Sequence, residues 1–204
     1  LPITVAIIGA GPLGRWLALV AARAGYCVFL EDVMPANLHH AQEVLRRELG
    51  PEVLGEGSLA PTLAAKTETR RGRGTQLAGV QFVSTIEDAV READLAIDCV
   101  PDELESKLEI FCLLDRMAPP RTVFATPTTR LSIADLASCT YRADKCVGIV
   151  AEAASLAGDA RREVLLRTTT RTSAETAALV RGFWERLGFF VRVERDPDEL
   201  SLKG

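Results

Sequence analysis

Histidine is nearly absent from this chain. Only His39 and His40 occur among its 204 residues, side by side. Neighbouring residues of a helix diverge around its axis, so the pair makes a poor metal site and reads as a solvated helix face. No metal centre is expected. Cysteine is also sparse: Cys27, Cys99, Cys112, Cys139 and Cys146 lie apart and form no CxxC pair. Most fall on apolar segments, as reduced core thiols of a cytoplasmic protein do. No run approaches the ~18 apolar residues of a membrane-spanning helix. The first residues read as a strand, not as a signal peptide. A net charge of -4 gives no electrostatic reason to expect nucleic acid or an anionic membrane as partner. Internal repeats and long low-complexity runs are missing as well. What is present is 48% hydrophobic and 25% charged residues, the balance of a soluble chain with a sizeable core.

The strongest positive signal is Val-Ala-Ile-Ile-Gly-Ala-Gly-Pro-Leu-Gly over residues 5–14, followed by Glu31 and Asp32. An apolar strand over 3–8 leads into a glycine turn and then a helix over 12–24. Gly25 stops that helix, and a second strand over 26–30 ends beside the two acids. This order suits a dinucleotide. Gly9 permits the tight turn, Gly11 lets backbone amides approach a pyrophosphate, and Gly14 lets helix and strand pack closely. Pro12 sits where its missing N–H costs little, and the helix start around Leu13 offers N–H groups and a positive dipole end to phosphate. Asp32 is expected to accept hydrogen bonds from the adenosine ribose and to repel a 2′-phosphate, which favours NAD over NADP. Strand alternation points Glu31 to the opposite face.

Further along, the pattern alternates. Helices are expected over 35–49, 86–93, 101–117, 132–138 and 173–187, with Ser84 or Thr85 capping the second of these. Strands are expected over 80–83, 94–100, 122–125, 145–150, 163–169 and 189–193. Residues 50–79 are the least structured part and carry Arg70, Arg71 and Arg73. These could clamp phosphates, although their glycine spacing reads as a mobile basic loop. Strands interleaved with helices predict an α/β chain: a Rossmann-type, doubly wound, mostly parallel sheet with helices on both faces. Its cleft should lie beyond the C-terminal strand ends, near residues 8, 30, 100, 125 and 150.

At those loops the chain resembles the NAD-binding domain of the 3-hydroxyacyl-CoA dehydrogenases. The run Asp98-Cys99-Val100-Pro101-Asp102, with Lys107 following, is similar to the family's fourth strand and next helix. The resemblance implies that Val100 and Pro101 line the cofactor site, and that Asp102 and Lys107 sit near the nicotinamide ribose. Asp102 replaces the family's glutamate. Residues 124–133, Phe-Ala-Thr-Pro-Thr-Thr-Arg-Leu-Ser-Ile, resemble the family's Ala-Ser-Asn-Thr-Ser-Ser-Leu-x-Ile loop. There the substrate-contacting serine falls on Thr129 and the cofactor-loop asparagine on Pro127.

The family's Gly-x-His-x-x-Asn-Pro motif aligns with residues 148–154, where Val150 stands at the histidine and Ala153 at the asparagine. Glu152 is the titratable residue nearest the lost imidazole and the candidate base. Glu163 reads as a strand-edge carboxylate. The expected organisation is an NAD-binding domain over 1–195 and a tail over 196–204, without the family's helical C-terminal domain. Two readings follow. One is an NAD-dependent oxidoreductase of fatty acid metabolism, acting on a 3-hydroxyacyl-CoA or a small hydroxy acid, with Thr129 holding the substrate oxygen. The other is a non-catalytic NAD(H)-binding or sensing module working through a protein partner. A homo-oligomer fits either.

Overall fold

All five residues of Thr4–Ile8 (β1) are buried. A strand apolar on both sides belongs in the middle of a parallel sheet covered on both faces. The computed structural model, which describes residues 3–49, 79–150 and 162–196, puts it there. The other strands are Cys27–Glu31 (β2), Gly79–Val83 (β3), Leu95–Asp98 (β4), Val123–Pro127 (β5), Cys146–Val150 (β6), Glu163–Thr168 (β7) and Phe190–Arg195 (β8). They form one eight-stranded sheet in the order β3-β2-β1-β4-β5-β6-β7-β8. Every pairing is parallel except β6 with β7. The chain leaves β1 toward β2 on one side and returns to β4 on the other. That reversal opens a crevice at the C-terminal ends of β1 and β4.

Among the described residues six α-helices accompany the sheet: Pro12–Arg23 (α1), Pro35–Leu49 (α2), Ile86–Val90 (α3), Leu104–Met117 (α4), Ile133–Ser138 (α5) and Ala174–Arg186 (α6). Side chains of a strand alternate between faces, and β1 shows the result. Val5 and Ile7 join one core with Leu17 of α1, Leu38 and Leu45 of α2, and Val180, Phe183 and Trp184 of α6. Ala6 and Ile8 join the other, with Ile86 of α3, Phe111 and Leu114 of α4, and Ile133 and Leu136 of α5. The first core holds both tryptophans: Trp16 stacks on Trp184 with ring centroids 6.4 Å apart, and Phe189 meets both edge-on. The doubly wound arrangement expected from the sequence is therefore present.

Several boundaries differ from the sequence expectation. α3 ends at Val90 because the chain turns there: Ala93 N donates to Val90 O, and Asp94 N donates to Thr4 O. Thr85 caps this helix by accepting from Asp88 N. β4 stops at Asp98, and α4 begins only at Leu104, with Glu103 as its N-cap. Among the described residues no helix is long and apolar enough to cross a membrane, and no cluster of three metal-ligating side chains occurs.

Candidate functional site

The crevice is built on the turn after β1. Gly9 N donates to Glu31 O at 2.8 Å and Cys99 N donates to Ile8 O at 2.7 Å, so the turn is fixed to β2 on one side and to the end of β4 on the other. Gly9 has a φ of 101°, a conformation that favours glycine, and a Cβ there would crowd the Cys99 carbonyl at 3.2 Å. A Cβ at Gly14 would overlap the Gly9 carbonyl oxygen, so α1 can lie this close to the turn only if residue 14 has no side chain. Gly11 differs from both. Nothing lies within 4 Å of where its Cβ would be, so neither fold nor packing demands glycine there. The open space lies at the start of α1, where Gly11 is the N-cap, no side chain caps the helix and no acid occupies its first turn. An uncapped helix start facing an open cradle suits a phosphate group.

Asp32 lies just past the end of β2. Its Oδ2 accepts from Ala10 N at 2.9 Å, and its Oδ1 accepts from Met34 N at 2.8 Å. Asn37 Nδ2 reaches both oxygens at 3.1 Å. The carboxylate is thus fixed against the glycine turn, at 9% exposure. These four contacts match the roughly four lone-pair sites of a carboxylate, so a ribose hydroxyl would take the place of one of the two Asn37 contacts. Asn37, in the first turn of α2, is a positioning residue the sequence reading did not pick out. Only its distance from Asp32, about one helical turn, could have suggested it.

Glu31 is almost fully buried, at 2% exposure, and its Oε1 has no hydrogen-bond partner. Burial, and then the charge of Asp32, push its carboxyl up to about 7. Because the folded chain holds this proton more tightly than the unfolded chain, the associated stability is complete below the ordinary glutamate range. It is lost as pH rises through about 7. Glu31→Gln is therefore expected to raise Tm at about pH 8, by up to ~3 kcal/mol of stability, with the gain closing toward about pH 5. Thermal melts at the two pH values test this. An equal effect at both would mean that Glu31 does not titrate there.

Lys107 and Asp102, expected together beside the nicotinamide ribose, have different surroundings. The Lys107 side chain is 1% exposed, and its Nζ lies 3.1 Å from Asp98 Oδ2, 3.0 Å from Thr126 Oγ1 and 3.4 Å from Val100 O. Thr126 Oγ1 also donates to Asp98 Oδ2 at 3.0 Å, and Val100 N donates to Asp98 Oδ1 at 3.0 Å. Burial pushes the Asp98 carboxyl up, against the pull of the Lys107 ammonium. The ammonium is thus turned into the interior, where it joins α4 to the ends of β4 and β5. Asp98 and Thr126 are its partners, and neither was singled out as a site residue from the sequence.

Asp102 is half-buried. Its Oδ2 accepts from Thr129 N at 3.3 Å, its Oδ1 is buried without a partner, and its carbonyl accepts from Arg130 Nη2 at 3.0 Å. Asp102, Glu103, Leu104, Glu105, Arg130 and Leu131 line a cavity of about 510 Å³. Thr129 is therefore brought to Asp102 through its backbone N–H. Thr128 shapes the loop by accepting from Arg130 N at 3.3 Å and Leu131 N at 3.0 Å. Val100 is half-buried and Pro101 exposed beside this cavity.

Val150 ends β6 paired with Leu165 and is half-buried. His39 and His40 are both exposed on α2, which packs on α1 and β3, across the switch point from β6. Glu163 pairs with Arg192 at 3.4 Å on β7. The five cysteines are free, with Cys112 exposed rather than in the core. Glu152 and the Arg70, Arg71 and Arg73 group lie outside the described residues.

Residues 4–150 match the family described as 3-hydroxyacyl-CoA dehydrogenase, NAD binding domain. A probable 3-hydroxybutyryl-CoA dehydrogenase of Bacillus subtilis is 28% identical over 145 residues, covering 71% of this chain and 47% of that protein. The mitochondrial hydroxyacyl-coenzyme A dehydrogenase of Rattus norvegicus is 30% identical over 149 residues, 71% of this chain and 45% of that protein. This chain thus spans less than half the length of these curated relatives. In fold it is similar to the 3-hydroxybutyryl-CoA dehydrogenase of Escherichia coli, with a TM-score of 0.75 and 24% identity over 96% of this chain and 39% of that one.

Proposed function

The chain belongs to the NAD-binding domain family of the 3-hydroxyacyl-CoA dehydrogenases, and we propose that it binds NAD(H) in preference to NADP(H) in the crevice between β1 and β4. The observation that carries this reading is Asp32, whose carboxylate is fixed by Ala10 N, Met34 N and Asn37 beside the open cradle at Gly11. In this reading Asp32 holds the adenosine ribose. Gly9, Gly11, Pro12, Leu13 and Gly14 shape the diphosphate subsite. Val100, Pro101 and Asp102 border the nicotinamide half. The NAD-binding unit corresponds to residues 1–195.

Asp32→Ala is expected to weaken NADH binding about tenfold and to relax its preference over NADPH, as loss of one charge-assisted hydrogen bond does. Fluorescence titration with both cofactors measures this. Equal affinity of the unsubstituted chain for NADH and NADPH would remove Asp32 from the ribose.

Bound NAD supplies a hydride acceptor for oxidation of a secondary alcohol. The residues must then hold the alcohol oxygen and take its proton as the hydride leaves. Thr129, tied to Asp102, is the candidate for the first task, with a 3-hydroxyacyl-CoA or a related small hydroxy acid as substrate. For the second task a positioned base contributes ~100- to 10,000-fold. Val150, which aligns with the family's histidine, cannot exchange a proton, and Glu152 is the base to test. Val150 also favours a second reading, an NAD(H)-binding module without turnover that works through a protein partner.

NADH oxidation with acetoacetyl-CoA, run beside Thr129→Val and Gly11→Asp chains, separates the two. Turnover lost in both variants supports a dehydrogenase with an unconventional proton donor. NADH binding without turnover overturns that reading in favour of the module.

A further inference from the structure

Arg15 reaches the glycine turn, and the cofactor motif does not require it. It occupies the fourth position of α1, and a side chain there lies over the turn N-terminal to its own Cα. Its Nη1 donates to Ala10 O at 2.8 Å, and the side chain is half-buried. Residue 10 is therefore held from two sides. Its N–H donates to the ribose-side carboxylate of Asp32, and its carbonyl accepts from Arg15. Among the described residues no carboxylate forms an ion pair with this guanidinium.

Toward the helix dipole the placement is adverse, with the Asp32 carboxylate held on Ala10 N as an offsetting charge. A helix start carries partial positive charge and favours anions, yet here a cation is fixed beside it. No first-turn acid and no side-chain cap offset that charge. The open cradle at Gly11 lies at the same helix start. A diphosphate there would reverse the sign of the interaction, and a guanidinium offers five donors, of which the Ala10 carbonyl uses one.

Resting on the reading of the crevice as an NAD(H) site, we propose that Arg15 is a diphosphate-binding residue. It contributes a charge-assisted hydrogen bond to the dinucleotide and, through Ala10, couples the diphosphate subsite to Asp32. The ligand class is any nucleoside diphosphate derivative that places its phosphates at the start of α1. A ligand without phosphate gains nothing from Arg15.

The test uses the full chain and its Arg15→Gln and Arg15→Lys variants, titrated with NADH, ADP-ribose and adenosine by calorimetry at two salt concentrations. Arg15→Gln keeps an amide donor for the Ala10 carbonyl and loses the charge. It is expected to bind NADH and ADP-ribose about tenfold more weakly, to bind adenosine unchanged, and to show a weaker salt dependence. Arg15→Lys is expected to recover part of the loss. Melting temperatures identify any variant whose fold has suffered.

Unchanged NADH affinity in a folded Arg15→Gln chain would overturn the inference while leaving the site assignment standing. An equal loss for adenosine would overturn it too, because Arg15 would then only stiffen the turn. Failure of the unsubstituted chain to bind NADH at all would remove the site assignment and this inference together.

Discussion

Replacing Lys107 by methionine is expected to destabilise the chain by about 3–5 kcal/mol, the effect of breaking a buried ion pair from one side. Asp98 has no exposed surface, and Lys107 is its only cationic partner among the described residues. The Thr126 hydroxyl and Val100 N–H would remain, but two neutral donors do not balance a full negative charge in the interior. Asp98 would respond by holding a proton more tightly. The loss should therefore shrink as pH falls, because a neutral Asp98 no longer needs the ammonium. A double variant, Lys107→Met with Asp98→Asn, is expected to lose much less stability than the sum of the single losses. Urea unfolding of the single and double variants at about pH 7 and pH 5 measures both statements. A loss below about 1 kcal/mol would mean that water reaches the pair and screens it.

The second large effect is expected at Gly14. In Gly14→Ala the new methyl would overlap the Gly9 carbonyl oxygen, and no rotamer change can move a Cβ. Either α1 must lift away from the strand or the turn must open, and each disturbs the Val5, Ile7 and Leu17 packing beneath. Overpacking of this kind typically costs ~1–3 kcal/mol, and a backbone obstacle puts this case at or above the upper end. NADH binding is expected to be lost with it, since the turn and the helix start are the same structure. Gly11→Ala is the internal comparison. Its methyl meets nothing in the protein, so Tm should hold while NADH affinity falls. If both alanine variants melt with the unsubstituted chain, the close approach of α1 to the turn is not what positions the site.

What could be read from the sequence was whatever is set by short spacing. The glycines, Pro12 and Asp32 lie in one βαβ unit, where the chemistry of each position follows from its neighbours along the chain. The alternation of strands and helices likewise gave the doubly wound sheet. Lys107 was not legible in the same way. A lysine with this sequence context reads as half-exposed, and its burial depends on Asp98 and Thr126 arriving from two other strands. Period-two alternation sets Glu31 on the face opposite Asp32, but it cannot say whether that face is covered. The antiparallel turn of β7 left no sign either, because a strand buried on one side has the same pattern whichever way it runs. Arg15 is a single residue whose meaning appears only when its guanidinium is seen on the Ala10 carbonyl.

The aromatic residues add an optical consequence. Trp16 and Trp184 are the only two tryptophans in the chain, and both lie in the core formed with α1, α2 and α6. Tryptophan emission, excited apart from tyrosine, therefore observes one side of the sheet. It should respond to ligands at the start of α1 and to any parting of α1 from α6. It is blind to the side on which α3, α4 and α5 pack. Far-UV circular dichroism sees both sides at once. Unfolding curves from the two signals that fail to coincide in the Lys107→Met chain would identify a face that loosens while the tryptophans stay in place.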